Sequence, residues 1–204
     1  MSERDTGLRA RLVDVGVDLV KKEGMQALSL REIARRAGVS HGAPRRYFPT
    51  HLTLLSAIAR RGFEDVAARA TEAVAAARLE DDPRAQLVLF GRVYLDFART
   101  ERGMYDLMFR HDLLESNELG LRETSLPLYR TLVDLVGRAR TESGMGDGVG
   151  LASEPVIVAG ALWANLHGIA QLWGWGSLQL ATGSDDVEPL LGAALDAHLG
   201  PCTR

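Results

Sequence analysis

The chain has 204 residues, with 24 Lys and Arg against 27 Asp and Glu, and 46% of its residues are apolar. That length allows one or two domains with a real core, and the composition is that of an ordinary globular protein. No apolar run reaches the roughly eighteen residues that span a bilayer, the N-terminal MSERDTGLRARLVD lacks an apolar signal region, and the single Cys202 has no internal disulfide partner, so a reducing cytoplasm is the expected setting. Charge is unevenly placed. Residues 1–62 hold twelve Lys and Arg against six Asp and Glu, and the remainder holds twelve against twenty-one. A basic head on an acidic body points to phosphate binding by one domain.

Leu8, Leu12, Val15 and Leu19 recur at helical spacing, so Thr6 to Lys22 reads as an amphipathic helix, capped by Asp5 or Thr6 and stopped by Gly24. Ser29 to Phe48, SLREIARRAGVSHGAPRRYF, reads as two short helices around a tight corner. Ser29 and Glu32 form a Ser-x-x-Glu capping box that satisfies two backbone donors reciprocally, and Leu28 packs on Ile33 as a staple. Ile33, Ala34 and Ala37 supply the apolar face, while Arg31, Arg35 and Arg36 stay outside. Gly38 ends the first helix in the left-handed conformation. Val39 plugs the corner, and Ser40 or His41 caps a second helix running to Phe48. Pro44 lacks an N–H, so its first turn is expected to be irregular, with Gly42 and Ala43 leaving it almost bare. Helix, short turn, helix is the arrangement that sends a second helix into the DNA major groove.

Thr50 caps a long helix of about 28 residues, a rod of roughly 40 Å, and the domain boundary is expected inside it near Gly62. Asp82-Pro83 opens another helix with Leu87, Phe90, Tyr94 and Phe97 on one face. Gly103 breaks it, and Met104 to Phe109 is a short apolar turn. His111 to Gly120 reads as a polar loop. Leu128, Leu132, Leu135 and Ala139 outline a helix with Pro127 near its start or at a kink. Gly144 to Gly150 is a flexible connection; it lacks the βαβ context of a dinucleotide loop. Val156 to Trp175 forms the next helix, with Gly160, Ala164 and Gly168 as a smooth stripe. Ser184 or Asp185, with Glu188, opens the last, with Val187, Leu191, Leu195 and Leu199 on its inner face.

Enzyme signals do not survive inspection. Gly38-Val-Ser40-His41-Gly42 matches the G-x-S-x-G elbow in form, but a helix precedes it where the elbow needs a strand. The histidines at 41, 51, 111, 167 and 198 show no metal-ligand spacing. The expectation is a non-enzyme with no cofactor and no metal. His167, one turn from Trp163, reads first as a core residue and second as a hydrogen-bond donor inside a cavity. The aromatic and Met-rich set likewise reads first as core, although an apolar cavity with few polar groups is also how a ligand pocket is built.

SLREIARRAGVSHGAPRRYFPTHLTLL resembles the N-terminal signature of the TetR family of transcriptional regulators, over about Leu8 to Ile58. The chain departs from the common pattern where Arg45-Arg46-Tyr47 replaces Tyr-x-His and where His51 replaces a Lys. GRVYLDFARTERGMYDLMFR and the Trp163-x-x-x-His167-Gly168 motif resemble the family's WHG class of C-terminal domain. The resemblance implies an all-α fold of about nine helices: a three-helix DNA-binding domain, 1–62, and a helical ligand-binding and dimerisation domain, 63–204. It implies a homodimer on double-stranded DNA with a palindromic operator, and release by a small, largely apolar effector. Arg31, His41, Ala43 and Arg45 would face base edges, with Arg45 able to grip a guanine bidentately. Ser29, Ser40, Arg46, Tyr47, Thr50 and His51 would hold phosphates, and Arg9 or Arg11 would either touch the DNA backbone or lie on a plain solvated face. The effector pocket would be lined by Phe63, Phe90, Tyr94, Phe97, Met104, Met108, Phe109, Leu128, Leu132, Trp163 and His167. Ile157–Trp173 and Val187–Leu199 would form the dimer interface, through Gly160, Ala164, Gly168, Trp173, Leu191 and Leu195. A regulator without an inducer, and a ligand carrier or enzyme on the same fold, stay open as alternatives.

Overall fold

A computed structural model describes residues 3–79, 81–144 and 154–201. Cys202 and most of the Gly144–Gly150 connection lie outside them. Ten α-helices and no strand occur among the described residues. They are α1 (Glu3–Glu23), α2 (Leu30–Arg36), α3 (His51–Ala77), α4 (Pro83–Thr100), α5 (Arg102–Met108), α6 (His111–Ser116), α7 (Leu121–Glu142), α8 (Pro155–Gly174), α9 (Ser177–Thr182) and α10 (Glu188–Leu199). The expected loop over His111 to Gly120 is instead α6 and a 3-10 turn at Glu118–Gly120, joined at Asn117 in the left-handed region with φ 50°. Asn tolerates that region because its short polar side chain bonds locally, and here Asn117 Oδ1 accepts the Arg122 N–H at 2.7 Å.

Two compact units emerge. The first is the chain up to Asp65 together with Glu101–Ser125; the second is Val66–Thr100 together with the chain from Leu126 onward. One cut falls inside α3 just past Gly62. The expected division is 1–62 and 63–204; Glu101–Ser125 returns to pack with the first unit. Glycine explains the return. A Cβ on Gly103 would stand 2.3 Å from the Val20 carbonyl oxygen, and one on Gly62 would stand 2.5 Å from Met108 Sδ. These two bare positions let α5 lie against both α1 and α3.

Leu12, Leu19, Ile33, Phe48, Leu54, Ile58, Tyr105 and Leu107 are the buried centre of the first unit. Each such side chain contributes roughly 1.5–3 kcal/mol of hydrophobic free energy. In the second unit α4, α8 and α10 pack on one another. Leu87, Leu95, Phe97, Leu162, Leu166, Leu191, Leu195 and Leu199 fill the space between them. Asp82 Oδ1 accepts the Ala85 N–H at 2.8 Å, capping α4 with Pro83 at its first position, as expected. Neither Ser184 nor Asp185 caps the last helix: Asp186 Oδ1 accepts the Glu188 N–H, and α10 starts at Glu188.

The expectation that no stretch is apolar and long enough for a membrane also needs correction, since α8 passes that test by length and composition. Its polar groups have protein partners. His167 Nδ1 meets Tyr94 Oη at 2.8 Å, and Asn165 Nδ2 meets His198 Nε2 at 2.9 Å. α8 therefore serves as a packing helix of the second unit.

Candidate nucleic-acid interface

Ser29 begins α2 from extended backbone (φ −141°), and its Oγ accepts the Glu32 N–H at 3.1 Å. The reciprocal half of the expected capping box is not made. The Glu32 carboxylate turns along the helix instead, to the two arginines three and four residues on, the spacing at which helix side chains meet. Arg35 donates Nε and Nη2 to Glu32 at 2.8 and 2.6 Å, and Arg36 donates Nε at 2.6 Å. Arg36 also reaches Glu23 at 2.6 Å. The guanidinium of Arg35, then that of Arg36, draws the Glu32 carboxyl down to about 2. The depressed carboxylate stays ionised below its ordinary value of 4.5 and is neutralised only as pH falls through about 2.

Gly38, at φ 66°, ends α2 as expected. Val39 N–H bonds the Ala34 carbonyl at 3.0 Å and Gly38 N–H the Arg35 carbonyl at 3.2 Å, the pair of bonds that defines a Schellman stop. The second helix of the motif is shorter than expected. Neither Ser40 nor His41 caps it, and only Pro44–Arg46 forms a 3-10 turn. Pro44 has no N–H to give to Ser40, so Ala43 N–H takes that carbonyl at 3.0 Å and the backbone tightens to i→i+3 bonding. Pro44 and Phe48 are buried as anchors, while His41, Gly42, Arg45 and Arg46 are exposed. Arg9 lies over the Phe48 ring, 5.4 Å from its centroid. Nothing lies within 4 Å of where a Gly42 Cβ would stand.

Arg31 and Ser40 are also exposed, whereas Ala43 and Tyr47 are half-buried. Thr50 Oγ1 accepts the Thr53 N–H at 3.0 Å and so caps α3. His51 Nε2 sits 3.0 Å from the Leu28 carbonyl oxygen, to which it donates. That bond fixes the imidazole as a bolt between the start of α3 and the residue preceding the Ser29 cap. His51 therefore has a structural duty that the expected phosphate role overlooked. The Glu23–Glu32–Arg35–Arg36 cluster was missed as well, although the i,i+3 and i,i+4 spacing was there to be read.

The expected effector residues divide between the units. Phe63, Met104, Met108 and Phe109 belong to the first, where the Phe63 and Phe109 rings meet edge to face at 5.8 Å. Phe90, Tyr94, Phe97, Leu128, Leu132, Trp163 and His167 belong to the second. Of these, Tyr94, Trp163 and His167 come together, with the indole 6.1 Å from the imidazole and 6.2 Å from the Tyr129 ring. An open surface groove of about 500 Å³ lies elsewhere in this unit, along Val133 to Glu142 of α7 and Pro155, and includes none of the expected residues.

The expected dimer residues divide too. Ala164 is exposed, and Gly160, Gly168 and Trp173 are half-buried. Leu191 and Leu195 are only 1% and 3% exposed and face inward. A Cβ on Gly91 would stand 2.4 Å from Leu191 Cδ1. Within the single chain both therefore sit in the core of the second unit, where α4 has a glycine against α10.

A capped helix, a Schellman corner and a short arginine-bearing turn braced by two longer helices define a helix-turn-helix protein. Residues 12–58 match the model for bacterial regulatory proteins of the tetR family, and residues 87–198 match that for the tetracyclin repressor-like C-terminal domain. The chain belongs to the TetR family of transcriptional regulators. The HTH-type transcriptional repressor KstR of Mycolicibacterium smegmatis is 35% identical over 75 residues, which is 37% of this chain and 37% of that protein. The chain thus matches little more than a third of that curated relative. Among solved structures, a protein of unknown function from Rhodococcus sp. RHA1 is 29% identical, with 94% of this chain and 93% of that chain covered and a TM-score of 0.75. The TetR transcriptional regulator SCO0520 from Streptomyces coelicolor is 25% identical, with 96% and 99% covered and a TM-score of 0.54.

Proposed function

We propose that the chain is a dimeric repressor that reads a palindromic operator in the bacterial cytoplasm and leaves it when a small, largely apolar effector binds. The observation that carries the DNA-binding half is the exposed row His41, Gly42, Arg45 and Arg46 on a turn whose other side is anchored by Pro44 and Phe48. Bare backbone beside two guanidiniums suits close approach to base edges, and an arginine fork matches guanine O6 and N7. Arg45 and Arg31 read bases in this proposal, with His41 and Ala43 beside them. Arg46, Ser40, Tyr47, Ser29 and Thr50 hold the backbone. The apolar face of α8 supports the dimer: Ile157 is 52% exposed, Val156, Ala161 and Ala164 lie exposed on the same helix, and Trp175, which follows its last residue, is 68% exposed. Burying such a face against a twofold mate is the usual use of a patch of this kind. The first structural domain reads DNA and the second dimerises and senses.

Fluorescence anisotropy with the DNA flanking the chain's own gene, over a range of salt, tests the reading. Tight binding with a steep negative log–log salt slope is expected. Arg45→Ala should cost about 1–3 kcal/mol and relax discrimination at one base position. Uniform weakening across operator variants would reassign Arg45 to a phosphate.

The effector half rests on the Tyr94–His167–Trp163 cluster, a phenol bonded to an imidazole beside an indole that is 38% exposed. A ligand of the native state stabilises by mass action. In a thermal-shift screen, apolar compounds carrying one hydrogen-bonding group should raise the midpoint, and Tyr94→Phe should reduce that rise. A flat response over the whole screen would favour a regulator without an inducer.

A further inference from the structure

We infer that Glu32 is a positioning residue that withholds Arg35 from DNA phosphate and thereby sets how strongly the head binds DNA of any sequence. The inference rests on the DNA-binding reading above. Glu32 accepts two bonds from Arg35, Nε and Nη2, in the forked geometry by which an arginine also grips a phosphate. A phosphate near Arg35 must therefore displace a carboxylate that already fits. Arg36 is held from two sides, by Glu32 and by Glu23. Two cations and two anions cancel within a few ångströms, and beyond a Debye length of about 10 Å at ordinary salt little of the arginine charge is felt.

Stability does not account for the cluster. Exposed ion pairs contribute little to stability, and the Arg35 side chain is 64% exposed. The α2 cap survives without the carboxylate, because Ser29 Oγ accepts the backbone N–H of residue 32. The cluster's distinct effect is on the charge that the head presents. Phosphate contacts carry no sequence information, so an arginine kept off phosphate lowers non-specific affinity while the base-reading turn at Arg45 is untouched. Glu32 then lowers the affinity for operator and non-operator DNA alike without touching a base.

The test measures the full-length chain on a short mixed-sequence duplex over a range of salt. Each added phosphate contact steepens the log–log slope by about 0.9. Glu32→Gln should steepen it by about that amount, for Arg35 alone, since Arg36 keeps Glu23. Asp18→Asn, the same charge change at an exposed position of α1, should leave the slope near the wild-type value. Arg35→Ala should barely move the slope in the wild-type background and should cancel the gain in Glu32→Gln. The inference is overturned if Glu32→Gln matches Asp18→Asn, or if Arg35→Ala flattens the wild-type slope as much as it flattens that of Glu32→Gln. A wild-type chain with no salt-dependent binding at all would sink the DNA-binding reading, and the inference with it.

Discussion

Phe48→Ala should lower the stability of the first unit by about 3–5 kcal/mol, the cost of emptying a large aromatic site that the surroundings fill only in part. Phe48 is wholly buried, closes the arginine-bearing turn, and supports the Arg9 guanidinium over its ring. Its loss removes the floor of the reading surface as well as core volume, so operator binding should disappear while the second unit stays folded. Two optical probes separate these events. All three tryptophans of the chain, Trp163, Trp173 and Trp175, lie in the second unit. The helical circular-dichroism signal should begin to fall at a lower temperature than in the wild type, and the tryptophan emission change should lag behind it. Coincident transitions at the wild-type midpoint would show that Phe48 anchors nothing.

Leu191→Ala should destabilise the second unit by about 2–5 kcal/mol and leave self-association nearly unchanged. The side chain fills the space above Gly91, and α10 is further held to α4 by Arg92, which donates to Glu188 at 2.6 Å. Ile157→Asp should do the reverse: it places a charge on the exposed face of α8, weakens the proposed dimer in sedimentation, and costs the monomer little. Both need measuring at one fixed protein concentration, because dimerisation raises apparent stability by mass action. If Leu191→Ala dissociates the dimer while leaving tryptophan-monitored unfolding in place, the leucine faces a partner and its assignment to the core fails.

These two residues mark where reading the chain succeeded and where it stopped. Caps and stops were legible because each needs one residue type at one position: Ser29, Gly38, Thr50 and Asp82 all act as their chemistry requires. The long helices were legible because their apolar residues recur at the helical period, which identifies a buried face. That period does not say what covers the face. Leu191 and Leu195 form a stripe that would suit a twofold mate as well as it suits α4, and only the bare Gly91 opposite decides between them. The turn after Ser40 was legible as irregular, because Pro44 cannot donate, but not as a 3-10 turn with no side-chain cap. The family pattern offers His51 as a phosphate contact and says nothing of a second partner. The His51 bond to the Leu28 carbonyl joins residues 23 positions apart, and no local pattern announces such a contact.

The chain passes between its two units three times, inside α3, between Thr100 and Glu101, and between Ser125 and Leu126. A reading head made this way is not a transferable cassette. Grafted onto a foreign body at Gly62 or Asp65, it would leave behind α5, and with it the methionines that cover Gly62 and the helix that Gly103 seats against Val20. Recombination that trades DNA specificity between relatives must therefore carry two separate stretches of gene, or else exchange only the few codons of the turn itself. Single substitutions at positions such as Arg45 are the cheaper path to a new operator.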